Sequence, residues 1–302
     1  MEIDVIMVPL DGSEFSRRAL PAAEELARRS GARLLLSYVH AGFPPAEPGE
    51  APEALVEADR EVVEHERELL EEAAGEVRGR GLEADTLFDE GPVAETLAAQ
   101  AEARADLVVM ATHGRGAFSR FWLGSVADGL ARRCGVPLLF VRPEGEGPAE
   151  PTFERILLPL DGSELAESIL PTATAVGRLF DAAVTVVRVI RPPFRPGLAY
   201  EDLPLQVDAE VAAEREEEVS DYVQGVVALL REEGLEARGR VVHGAGVAAE
   251  IVEVARQAEA DLVAMATHGR GGLKRLVLGS VADKVLRGGE RPVLLHRPAP
   301  QG

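Results

Sequence analysis

VPLDGSE, residues 8–14, returns as LPLDGSE, residues 158–164, and each copy runs on to a Leu-Pro pair, Leu20-Pro21 and Leu170-Pro171. A β-branched run containing Ile3, Val5, Ile6 and Val8 feeds the first copy, so the stretch reads as a strand turning into a helix. The echo continues downstream. MATHGRGAFSRFWLGSVAD, residues 110–128, reappears as MATHGRGGLKRLVLGSVAD, residues 265–283, and GVPLLFVRP, residues 135–143, is matched by ERPVLLHRP, residues 290–298. The chain is two copies of one unit. Equivalents lie 150 residues apart at Val8 and Leu158 and 155 apart at Met110 and Met265. The second copy therefore carries about five extra residues around RPPFRPGLAYEDLP, where the two differ most. Between the copies EGEGPAEP, residues 144–151, has the glycine, proline and acid content of a linker, which predicts domains at 1–143 and 152–302.

Within each copy short apolar strands alternate with longer helical patterns. In the first, strands are expected near 3–8, 33–39, 82–88, 106–111 and 137–142, and helices near 14–30, 53–79, 92–103 and 125–133. The second helix shows a seven-residue recurrence at Leu55-Val56, Val62-Val63, Leu69-Leu70 and Val77, with Glu and Arg on its remaining, solvated face. Copy two repeats the stripe through Val211, Val219, Val223, Val226 and Leu230. This order predicts an α/β fold of two doubly wound, open, parallel five-stranded sheets, flavodoxin-like in size, with ligands beyond the carboxyl ends of the strands at the topological switch. The last strands, Pro137 to Val141 and Pro292 to His296, would be exposed edges. Pairing them makes a pseudo-twofold dimer within one chain.

At 302 residues the chain has room for two ordinary domains and two cores. Its formal net charge of -20 repels phosphate backbones and argues against nucleic acid or an anionic membrane as partner. No apolar run approaches the roughly 20 residues of a membrane span, and the strand-like start implies no signal peptide. The single cysteine, Cys134, cannot close an internal disulfide. Its setting in LARRCGVPLLF favours packing, and a cytoplasmic, reducing home is expected.

Both repeated motifs fall at strand ends. Asp11 closes the first strand, and Ala111-Thr112-His113-Gly114 the fourth. Nine residues after Gly114 come Gly124-Ser125, where Ser125-Val126-Ala127-Asp128 has the form of a capping box opening a helix. Free amides at such a start, with glycines that let backbone approach closely, can cradle phosphates. Copy two offers Gly269, Gly279, Ser280 and Val281. Arg115 and Arg120, and in copy two Arg270, Lys274 and Arg275, lie in loops without an acidic residue, so an acidic protein presents two basic loops. A purely structural reading stands beside this one: the glycines turn the chain, Ser125 caps its own helix, Asp11 caps the helix that follows it, and the arginines are solvated.

The order P-L-D-G-S, then a small residue, two residues, Gly, nine residues and Gly-Ser, then a short helix and a final apolar strand, resembles the universal stress protein family across both halves. The resemblance is to a tandem member of its ATP-binding branch, whose loop reads G-x2-G-x9-G-[S/T]. Alanine replaces the first glycine here in both copies, at Ala111 and Ala266. By this resemblance Asp11 and Asp161 would contact the adenosine portion, Pro9, Val39, Pro159 and Val189 would line the base pocket, and Met110 and Met265 would present backbone to it. Gly114, Gly124, Ser125 and Val126, with Gly269, Gly279, Ser280 and Val281, would hold ribose and phosphates, and the loop charge adds Arg115 and Arg270 to the candidate site. The implied ligand is ATP, with or without Mg2+, and the implied role a regulatory or stress response.

Other motifs are set aside. HGAGVAAE, residues 243–250, and its counterpart EGPVAETL, residues 90–97, read as helix starts rather than a dinucleotide fingerprint, because Pro92 removes an amide. There is no P-loop pattern, no histidine spacing suited to zinc, and no Ser-His-acid set with a defensible geometry. His113 and His268, each between Thr and Gly in the repeated loops, read first as turn-stabilising residues; a protonated imidazole there meeting phosphate oxygens is the functional alternative. The leading expectation is a nucleotide-binding protein without dedicated catalysis; an interaction module that uses the fold without nucleotide and a slow ATPase are the alternatives. A further homodimer and a signalling partner are left open by the sequence.

Overall fold

The protein is described from a computed structural model, which describes residues 1–42, 53–112, 123–142, 151–191, 205–267 and 278–297. In the first half the elements run β1 (Val5–Leu10), α1 (Glu14–Arg17), α2 (Leu20–Ser30), β2 (Arg33–His40), α3 (Glu53–Gly79), β3 (Ala84–Glu90), α4 (Val93–Arg104), β4 (Leu107–Ala111), α5 (Ser125–Arg133) and β5 (Leu138–Val141). The second half repeats them as β6 (Arg155–Pro159), α6 (Glu164–Glu167), α7 (Leu170–Leu179), β7 (Ala183–Ile190), α8 (Leu205–Glu232), β8 (Glu236–His243), α9 (Val247–Gln257), β9 (Leu262–Ala266), α10 (Ser280–Gly288) and β10 (Val293–His296). The single helix expected over 14–30 is two helices. Proline is tolerated in the first turn of a helix, where its missing N–H costs nothing, and Pro21 sits in the first turn of α2.

One ten-stranded sheet runs through both halves in the order β3-β2-β1-β4-β5-β10-β9-β6-β7-β8. Pairing is parallel within each half and antiparallel at the seam, where Phe140 faces Val293, Leu139 faces Leu294 and Leu138 faces Leu295. The two strands that would have been edges thus cover each other. In each half the chain builds outward from the first strand in one direction, then crosses to the other side. That reversal lies between β1 and β4 and between β6 and β9.

The sheet alternation sorts side chains onto two faces, and each face carries one apolar layer containing residues of both halves. On the first, Ile6, Val8, Leu34 and Leu36 pack under α2 and α3 together with Ile156, Leu158 and Val186. On the second, Met7, Leu35, Val108 and Phe140 pack under α4 and α5 with Leu157, Val263 and Val293. Away from the seam, Arg29 of α2 donates to the Leu179 carbonyl at 3.1 Å and lies 4.3 Å over the Phe180 ring. No described helix is long and apolar enough to cross a membrane.

Candidate functional site

The turn after β1 explains the PLDGSE repeat. Gly12 and Gly162 have φ of 77° and 72°, a region that favours residues without a Cβ. Ser13 and Ser163 cap α1 and α6, accepting from the amides of Ser16 and Ala166. The cap is therefore the serine, not Asp11. Asp11 instead holds the serine: its Oδ1 accepts from the Ser13 amide at 3.0 Å and the Ser13 hydroxyl at 2.5 Å. Burial pushes its carboxyl up, but these bonds and the nearby Ser16 hydroxyl outweigh it and hold the group below the ordinary carboxylate value. Asp161 makes the same bonds to Ser163. Both aspartates sit just past the carboxyl ends of β1 and β6 as hydrogen-bond acceptors.

Across the switch, β4 and β9 end at Ala111 and Ala266, where the family pattern has glycine. Both are ordinary strand residues, opposite Val141 and His296, and neither has positive φ. The backbone at this position needs no glycine. Thr112 and Thr267 then donate to the Val141 and His296 carbonyls, and the Gly279 amide donates to the Thr267 carbonyl at 2.9 Å, tying loop exit to loop entry.

The capping box expected at Ser125 does not form. The N-caps of α5 and α10 are Gly124 and Gly279, with Ser125 and Ser280 as first helical residues and no side-chain cap among the described residues. Asp128, the would-be capping acid, points away because a stronger partner competes. It takes Arg132 Nε at 2.7 Å and, from the other half, Arg287 Nη2 at 3.0 Å, while Arg287 Nε holds Asp283 at 2.7 Å. Arg132, first, and Arg287 hold the Asp128 carboxyl below its usual value against its partial burial. A carboxylate in the first turn would repel an anion; this network neutralises it and joins α5 to α10.

The apolar members assemble on the second face of the sheet. Val39 and Met110 are buried there with Val126 against them, and Met265 with Val189 and Val281 in the other half. Pro9, one residue before the end of β1, and Pro159, the last of β6, lie beside them, paired with Ser37 and Val187. Gly114, Arg115, Gly269 and Arg270, with His113, His268, Arg120, Lys274 and Arg275, lie outside the described residues. Among the described residues, no group of three or more His, Cys, Asp or Glu side chains is arranged to hold a metal ion.

Sequence reasoning missed two polar clusters in the first half. Beside Val39, buried Ser37 donates to Gln100 Oε1 at 2.5 Å and Gln100 Nε2 donates to Asp89 at 2.6 Å. On the opposite face Glu66 accepts from Tyr38 at 2.9 Å and meets His40 Nδ1 at 2.7 Å, while Asp59 meets His40 Nε2 at 3.2 Å. The available signal was polar residues inside the run RLLLSYVH and on a helix face otherwise apolar.

The model of the universal stress protein family matches residues 2–142 and again residues 152–297. The chain belongs to the universal stress protein family. Universal stress protein Rv2005c of Mycobacterium tuberculosis (strain ATCC 25618 / H37Rv) is 28% identical over 302 residues, covering 97% of this chain and 96% of that one. Universal stress protein MJ0531 of Methanocaldococcus jannaschii is 32% identical over 148 residues, 48% of this chain and 83% of that one. The crystal structure of a universal stress protein from Archaeoglobus fulgidus DSM 4304 superposes with a TM-score of 0.73 at 20% identity, covering 98% of both chains. Full-length matches in sequence and in structure place this chain among tandem universal stress proteins.

Proposed function

We propose that this universal stress protein binds an adenine nucleotide, ATP, in each half, and acts by binding rather than by dedicated catalysis, as a cytoplasmic regulatory or stress-response protein. Its two domains span 1–143 and 152–302, joined by 144–151. The observation that carries the reading is the pair of helix starts at Gly124 and Gly279, open to an anion because no described side chain caps them. Amides at a helix start and the helix dipole favour phosphate, and glycine lets it approach closely. The base would rest on Val39 and Met110, or Val189 and Met265, with Asp11 or Asp161 at the adenosine portion. Mg2+ would travel with the phosphates rather than sit in a protein cage.

Replacing Gly124 or Gly279 by aspartate tests this. Neither residue has positive φ, and aspartate is a favoured N-cap, so its carboxylate should take the amides itself and repel phosphate while the helix is kept. Calorimetry with ATP should find two sites in the parent, one in each single variant and none in the double variant, with unchanged circular dichroism. Unchanged affinity in the double variant would place the site elsewhere. Absence of binding in the parent would favour the rival reading, an interaction module, and turnover of labelled ATP would favour a slow ATPase.

A further inference from the structure

The two candidate base pockets differ. Val39 of β2 pairs with Asp89 of β3, whereas Val189 of β7 pairs with Val242 of β8. The residue beside Pro9 is Ser37, the one beside Pro159 is Val187. The eighth residue of α4 is Gln100, the eighth of α9 is Val254. A linked Ser37, Gln100 and Asp89 in one half is thus three valines in the other. The valines join the apolar layer on that face of the sheet, with Val187 and Val254 almost fully buried.

The polar set is a built arrangement. Gln100 is 6% exposed and Ser37 fully buried. Because a carboxylate only accepts, Gln100 must turn its amide NH2 to Asp89 and its oxygen to the Ser37 hydroxyl. This fixes one Asp89 oxygen, Oδ2, and leaves Oδ1 with no hydrogen-bond partner among the described residues. The sheet order puts Asp89 one strand outward from Val39. Strands run β3-β2-β1-β4, so a nucleotide with phosphates at α5 and its base on Val39 spans β4, β1 and β2, and the far edge of the base meets β3.

Resting on the nucleotide reading above, we infer that Asp89 is a specificity-determining residue: the first half prefers a base presenting an exocyclic amino donor on that edge, while the second, with Val242 there, selects by shape. The purine class of ligand is shared; the hydrogen-bonding rule is not.

The test uses the full chain with one half silenced. G279D leaves only the first site and G124D only the second; each is titrated with ATP and with purine riboside triphosphate, which has the same ring without the amino group. The ATP preference should be about tenfold greater in the first half than in the second, the effect of one hydrogen bond to a partly solvated carboxylate. D89V, which installs the residue the other half uses, should erase the excess without weakening purine riboside triphosphate. Equal preference in both halves, or a preference that survives D89V, overturns the inference. If neither nucleotide binds G279D, G124D or the parent chain, the nucleotide reading itself fails, and this inference with it.

Discussion

Substituting glutamine for His40 should remove a pH-dependent part of the stability of the first half. His40 is 5% exposed at the end of β2 and lies between two carboxylates of α3, Glu66 at 2.7 Å and Asp59 at 3.2 Å. Burial alone would push the imidazole pKa down; the hydrogen bonds and charges of Glu66 and Asp59 outweigh it and raise the value above 6.5. A folded pKa above the unfolded one stabilises fully below 6.5, and that stability is lost as pH rises through the folded value. Hydrogen bonds to charged groups contribute roughly 1.5–3 kcal/mol each, net of solvation. Neutral imidazole keeps one ring N–H, so deprotonation gives up one of the two bonds, about 1.5–3 kcal/mol or about 2–5 °C in Tm for a chain of this size. Thermal melts from pH 5.5 to 9 should show the parent losing this margin over H40Q as pH rises, on top of any trend common to both. Parallel curves would refute the reasoning. Because Glu66 also accepts from Tyr38, whose hydroxyl reaches the Asp11 carbonyl at 3.3 Å, the same anchor braces the turn at the site.

D128N should destabilise the seam by about 1–2 kcal/mol near neutral pH, because the partly buried carboxylate between Arg132 and Arg287 loses its charge. Its folded pKa lies below 3.8, so that margin over the variant should be constant above this value and shrink as pH falls through the folded one; a gap that persists into acid would contradict the assignment. G129A should cost about 1–3 kcal/mol by urea unfolding, since a Cβ there would sit 2.6 Å from the Ala94 Cβ and force α4 and α5 apart. Cys134 is fully buried, and burial pushes its thiol up to about 11. A thiol reagent should leave it untouched in native protein and titrate it only after denaturation.

The fold was legible because its signals are local and repeated. The β-branched runs located β1 to β5 to within about two residues, and the stripe through Leu69-Leu70 and Val77 marked α3 over 53–79. Two matching unit ends implied a pseudo-twofold pairing of the final strands, which the structure forms as the antiparallel seam between β5 and β10. Motif spacing put Asp11 just past β1, Ala111 at the end of the neighbouring β4 and Gly124 before α5, and the structure has them at those positions. It misassigned their hydrogen bonds, because capping depends on which of several nearby acceptors wins. Ser13 beat Asp11 at α1, and Arg287, 159 residues away in sequence, drew Asp128 from the start of α5. The Ser37, Gln100 and Asp89 chain joins a strand, a helix and a second strand, and no periodicity encodes such a link. Its absence from the other half emerged only when register aligned the two.

Binding of ATP to the purified full-length chain tests the central claim most directly: release of bound nucleotide by denaturation, followed by calorimetry of the stripped protein. The uncapped helix starts at Gly124 and Gly279 predict adenine nucleotide in the supernatant and saturable ATP binding at up to two sites per chain. No adenine nucleotide released, with no heat of binding at millimolar ATP, would contradict it.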